Sequence, residues 1–208
     1  MEDKIVYPDI FKTAWRKLMS QFWLLVGLVI GFTIIYSLFI IFTIPEKVEP
    51  FGIRNIIVGI FGMLLSGLFS MGYLKNCMQT LDGEEPQFSA YGQVSRKLPA
   101  FIATYIIYYL IVIVGLFLLI IPGIYLAIRL QFYLAFIVEE NCGIIESFKK
   151  SWNITKELSL KLFVLWLIMI LIIFSGCIAL FIGTFIAVPL IVLMYGYIFR
   201  KLTEPAAQ

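Results

Sequence analysis

The sequence predicts an all-α transmembrane fold. Six membrane-spanning helices form three hairpins, each preceded by an amphipathic helix at the cytoplasmic interface. Three observations carry that prediction. Of the 208 residues, 62% are hydrophobic and 14% charged, against roughly 45–50% and about 25% in a soluble domain. The apolar residues gather into runs long enough to cross a bilayer. The lysines and arginines collect in alternate loops, which fixes an orientation.

The elements follow in chain order within a single polytopic domain, 1–208. Residues 8–20 read as an interfacial helix, because Phe11, Ala14, Trp15, Leu18 and Phe22 recur at helical spacing with basic residues on the remaining face. Phe11 and Trp15 are its membrane anchors. Spans follow at 22–44 and 55–74. The first begins at an apolar run longer than a signal-peptide core and without a small-residue cleavage site, so it is expected to remain as a helix. The run from Leu98 to Val138 is about twice the roughly 20 residues of one crossing. It divides at Pro122–Gly123 into spans 98–121 and 122–138, since proline cannot continue a helix and glycine accepts a turn. A second interfacial helix, 143–156, places Ile144, Ile145, Phe148 and Trp152 on one face, with Phe148 and Trp152 as anchors. Spans 158–182 and 184–199 divide near Gly183–Thr184.

Six spans put both termini on one side. Thirteen basic residues share that side: Lys4, Lys12, Arg16 and Lys17; Lys75, Arg96 and Lys97; Lys149, Lys150, Lys156 and Lys161; Arg200 and Lys201. Lys47 and Arg54 lie opposite. Positive loops stay cytoplasmic, so a multi-pass protein of the cell (inner) membrane with cytoplasmic termini is expected.

The stretches "IFKTAWRKL" from Ile10 and "SFKKSWNIT" from Ser147 are alike, and "FSAYGQVSRKL" from Phe88 is a weaker copy with Tyr91 in the tryptophan's place. The step from Tyr91 to Trp152 equals those from Gly115 to Gly176 and from Pro122 to Gly183. Three parallel repeats are the reading, related by an axis along the membrane normal. Gly27 and Gly31 form a GxxxG pair, and Gly59, Gly62, Ser66 and Ser70 share a face. Such small residues are expected to pack helices within the chain, with homo-oligomerisation as the alternative.

Three stretches resemble a bacterial six-span family, the membrane domain attached to glycerophosphodiester phosphodiesterases and its relatives of unknown function. They are "GEEPQF" at Gly83–Phe88, "IPGIYLAIRLQF" continuing to "FIVEE" at Ile121–Glu140, and "IIESFKKSWNIT" at Ile144–Thr155. The resemblance implies a fold and a membrane location. It implies no catalytic residues, because the hydrolase domain's residues are not among these 208.

The chain contains no histidine, which excludes a histidine zinc site, a Ser–His dyad and a histidine nucleophile within it. No Asp or Glu falls inside the six predicted spans, which excludes an intramembrane aspartyl pair. Asp82–Gly83 reads as an acidic turn, and Asn153–Thr155 as a sequon on the unmodified cytoplasmic side. Cys77, Cys142 and Cys177 are scattered and read as idle thiols. No enzymatic activity, cofactor, metal or nucleic-acid partner is expected.

Arg129 stands out, because a charge mid-span costs about 2.5–3.5 kcal/mol. Three roles are open. Arg129 caps the carbonyl of Phe185 that Pro189 releases, with spans four and six in contact; or it holds a lipid phosphate, with Tyr125, Tyr133 and Phe136 on its face and Gln131 nearby; or it lines an anion path. The expected function is therefore non-enzymatic: membrane or lipid homeostasis, or an accessory to another membrane protein. A small lipid or anion transporter is the alternative. Expected partners are membrane lipids, anionic at the cytoplasmic face, and a membrane protein or a second copy.

Overall fold

The computed structural model describes residues 5–43, 52–178 and 182–204. Lys4, Ile44, Lys47 and residues 179–181, which figure in the expectations above, lie outside the described residues. Every regular element among the described residues is helical. Helix α1 (Tyr7–Ser20) has Pro8 in its first turn, where a missing N–H costs nothing. It hands over at Gln21 to α2 (Phe22–Thr43).

Helix α3 (Ile53–Asp82) is 30 residues long, about 45 Å at 1.5 Å per residue, so it outruns the predicted span 55–74. It stops at Gly83, whose φ of 90° is left-handed, with the Gly83 and Glu84 amides bonded back to Thr80 and Gln79. Short α4 (Ser89–Ser95) leads to α5 (Leu98–Leu118), which carries Pro99 in its first turn.

The chain turns at Leu119, not at Pro122–Gly123. Leu119 is extended (φ −162°, ψ 142°), and α6 (Ile120–Leu130) starts directly after it. Pro122 therefore lies inside the first turn of α6, where its ring fits and no amide is wanted. Gly123 serves packing instead. A Cβ there would sit 2.6 Å from the Leu116 backbone nitrogen, and one on Gly115 would sit 3.0 Å from the Gly123 Cα. The fourth predicted span is interrupted at Gln131–Phe132 and resumes as α7 (Tyr133–Glu140). Asn141 (φ 55°) ends it, and α8 (Ile144–Thr155), α9 (Ser159–Ile178) and α10 (Thr184–Thr203) complete the chain.

Among the described residues six helical stretches are long and apolar enough to cross a membrane: α2, α3, α5, the α6–α7 pair, α9 and α10. The protein is an integral, multi-pass membrane protein. Its buried residues concentrate at one end. There Ile10, Ala14 and Leu18 of α1 meet Met71 and Met78 of α3, Phe132 just before α7 and Phe136 within it, and Leu193 and Phe199 of α10. At the other end Ile41, Phe42, Ile53 and Leu116–Ile121 face outward, as lipid-facing surface does.

The repeat read from the sequence has a structural counterpart. Ala14, Ala90 and Ser151 each precede the aromatic of their copy, and all three are fully buried. Four residues further on, Leu18, Val94 and Thr155 are buried as well. Gly176 meets Gly183 as closely as Gly115 meets Gly123. The apolar face expected on α1 is divided: Ala14 and Leu18 join Ile10 in the interior, while Phe11, Trp15 and Met19 are exposed.

Gly27 and Gly31 do not pack against the described residues. A Cβ on either meets nothing within 4 Å, whereas Gly62, Gly67 and Gly72 accept Phe39, Phe101 and Tyr91. These glycines therefore answer differently to one substitution. Gly123→Ala should destabilise the detergent-solubilised protein by about 1–3 kcal/mol, as overpacking against backbone does. Gly27→Ala should be neutral, or stabilising by up to about 1 kcal/mol from helix propensity. Unfolding titrations of the two variants measure this, and equal effects would contradict the close approach at Leu116.

Candidate functional site

The interruption between α6 and α7 is built by α8. Helix α8 turns a polar face inward, with Ser147, Ser151 and Thr155 all fully buried. Ser151 Oγ donates to the Arg129 carbonyl at 2.9 Å and accepts from the Phe132 amide at 3.1 Å. Thr155 Oγ1 shares its proton between the Arg129 carbonyl at 3.1 Å and the Ser151 carbonyl at 2.7 Å. The Gln131 carbonyl accepts from the Tyr195 hydroxyl of α10 at 2.9 Å. Small hydroxyl side chains let α8 approach closely enough to close these backbone groups.

The Arg129 side chain leaves the same turn. It is 1% exposed. Its guanidinium carbon lies 4.1 Å from the centre of the Trp152 ring and 5.7 Å from that of Tyr125. Those two rings meet edge to face at 6.0 Å. Among the described residues no carboxylate pairs with Arg129, and its Nε and Nη1 find no hydrogen-bond acceptor. A desolvated cation–π contact returns about 2 kcal/mol. Each stranded buried donor costs about 1–3 kcal/mol. The aromatic pair alone does not balance a buried guanidinium.

The sequence-derived site is thus partly assembled. Tyr125 and Trp152 surround Arg129. Gln131 is adjacent in the break, with its Nε2 buried and without a partner among the described residues. Tyr133 turns away to stack near Tyr108 (5.0 Å) and Phe148 (5.8 Å). Phe136 faces Phe199 at 5.0 Å. Pro189 is buried in α10, but no hydrogen bond joins Arg129 to the Phe185 carbonyl among the described residues. The proposed cap is not formed, because the guanidinium is drawn toward α8 and its indole. Phe11 and Trp15 stack on each other (6.1 Å, 11°) on the exposed side of α1.

Sequence reasoning missed the hydroxyl face of α8 and a charged cluster below it. The spacing Ser147, Ser151, Thr155 marks one side of a helix and was available as a signal. In the cluster Glu139 of α7 accepts from Lys75 of α3 at 3.0 Å and from Arg200 of α10 at 3.1 Å. Arg200 also reaches Asp82 at 2.6 Å. Lys97 donates to the Val138 carbonyl at 2.6 Å. Burial, then the neighbouring Lys75, hold the Lys97 ammonium below its usual range against the pull of Glu139. On the rim Lys150 bonds Glu140 and Glu146, which hold it above its usual range. The cluster ties three spanning helices together at one end of the molecule.

No curated protein and no solved structure matches the chain. One family model does, over residues 94–200, just over half of the chain. That stretch holds the turn at Leu119, the break at Gln131–Phe132, Arg129 with its aromatic neighbours, and the Glu139–Arg200 contact. The model describes a membrane domain and not the catalytic one, in keeping with a site built from an arginine, two aromatic rings and two hydroxyls. The chain belongs to the family described as the membrane domain of glycerophosphoryl diester phosphodiesterase.

Proposed function

We propose that this is a non-enzymatic protein of the cell membrane that works in membrane or lipid homeostasis by holding an anionic lipid headgroup at Arg129. The carrying observation is a guanidinium that is 1% exposed, unpaired by any described carboxylate, and left with open N–H donors. A phosphate oxygen is the acceptor that suits this fork best. Access runs past Trp152, which is 37% exposed on its outer side while its inner face covers the cation. The indole would turn aside as the phosphate arrives and return as an amphipathic cover.

The spans pair as three hairpins with α1, α4 and α8 as cytoplasmic interfacial helices. The exposed Phe11, Trp15, Met19, Ile145 and Trp152 support this, since exposed apolar rings beside lysines suit the headgroup layer. The thirteen-to-two distribution of basic residues supports cytoplasmic termini. A single cysteine in place of Lys150 should stay unlabelled by an impermeant reagent in intact cells, and labelling from outside would overturn the orientation.

A second reading, a small lipid or anion transporter, draws on the broken α6–α7 helix, because interrupted helices at mid-chain often frame transported ligands. Accessory roles to a membrane-protein partner or a second copy are compatible with the lipid-holding reading.

Native mass spectrometry of gently extracted protein with added phosphatidylglycerol tests the central claim. Arg129→Ala should lower the occupancy of one bound phosphatidylglycerol about tenfold, Arg129→Lys should lose part of that occupancy, and Trp152→Ala should raise it by uncovering the cation. Unchanged retention in both alanine variants would make Arg129 a purely structural pin between α6 and α8. Flux in proteoliposomes that vanishes with Arg129→Ala would establish the transporter.

A further inference from the structure

A groove of about 550 Å³ runs between α2 and α3. Its walls are almost wholly apolar. Phe32 and Phe69 stack at 3.8 Å along one side, Phe69 and Tyr91 continue the ladder at 6.1 Å, and Gly27 and Gly31 leave the other side open. Two large aromatic residues stand at its mouth, Trp23 at 84% and Phe88 at 81% exposure.

A second cleft, about 350 Å³, is lined by Arg16, Lys17, Ser20 and Gln21 on one side and by Thr80, Gly83 and Glu84 on the other. No residue lines both cavities, but their walls adjoin along the chain: Gln21 stands two residues before Trp23 on one side, and Glu84 two before Pro86 on the other. Neither Arg16 nor Lys17 forms an ion pair among the described residues. Fully buried Asn76 accepts from the Gln87 amide of the groove wall at 2.6 Å, and its side-chain amide interacts with the hydroxyl of Tyr91, which also lines the groove.

We propose that cleft and groove form one binding site for an anionic phospholipid, separate from Arg129 and resting only on the chain being a membrane protein. The phosphate sits on Arg16 and Lys17, the ester region lies beside Gln87 and Tyr91, and one acyl chain fills the groove. The cleft sets two cations against the single carboxylate of Glu84, and the groove beside it is apolar, which is the order along an anionic amphiphile. A helix from a second copy would fill the groove without giving Arg16 and Lys17 an anion.

Gly27→Leu and Gly31→Leu together test this, because the added side chains meet no protein atoms at the Cβ and enter the groove. The measurement is native mass spectrometry in an Arg129→Ala background, with phosphatidylglycerol and phosphatidylcholine of equal chain length added in parallel. The parent should retain phosphatidylglycerol in preference. The double leucine variant should lose that lipid, with affinity down at least tenfold and the unfolding midpoint preserved. Arg16→Glu with Lys17→Glu should abolish the preference for phosphatidylglycerol. Undiminished phosphatidylglycerol in the folded leucine variant would overturn the site, as would a preference untouched by charge reversal. A dimer that the leucines dissociate would overturn it in favour of a second copy as the occupant.

Discussion

Within a bilayer, a helix can be interrupted only where its freed amides and carbonyls find partners in protein or in enclosed water, and at Gln131–Phe132 protein partners come from α8 and α10. Ser151 and Thr155 close on the Arg129 carbonyl, Ser151 takes the Phe132 amide, and Tyr195 takes the Gln131 carbonyl. Two further features follow from this closure. It fixes α8 against α6, which brings Trp152 over the guanidinium. It also lets α7 continue to Glu139, where the carboxylate gathers Lys75 and Arg200.

The charges of the protein are thereby sorted into two environments. Glu139 accepts from two cations and is itself largely covered, so the ends of α3, α7 and α10 hold one another in fixed relation. Arg129 has no such counter-charge among the described residues. It borrows the faces of two aromatic rings and keeps donors in reserve. A cation whose compensation is incomplete favours whatever anion reaches it, and in a membrane the abundant anions are lipid phosphates. The same chemistry recurs at Arg16 and Lys17 beside the α2–α3 groove, at the surface instead of in the interior.

Much of this architecture was legible in the residues. Apolar run length specifies six crossings. The similar stretches from Ile10 and Ser147 carry positions that are buried alike, Ala14 and Leu18 in one and Ser151 and Thr155 in the other. The turn before α6 was misplaced by three residues, because a proline–glycine pair reads as a turn by local rules. The Gly123 contact with Leu116 shows that helix approach leaves no room for a side chain there, and Pro122 tolerates a first helical turn. The surroundings of Arg129 were half legible. Tyr125 follows from helical spacing on its own element, but Trp152 comes from α8. No periodicity within α6 announces a partner 23 positions away. The Phe185 cap failed for the same reason, since matching depths on two helices do not fix which neighbour a long side chain prefers.

Hydrogen exchange at the break tests the account most directly. If α8 closes the interruption, the Phe132 amide should be protected in the parent, and Ser151→Ala should speed its exchange at least tenfold while amides of α2 are unaffected. Exchange at Phe132 that is equally slow in both proteins would contradict the account, because the break would then be held by something other than the α8 hydroxyls.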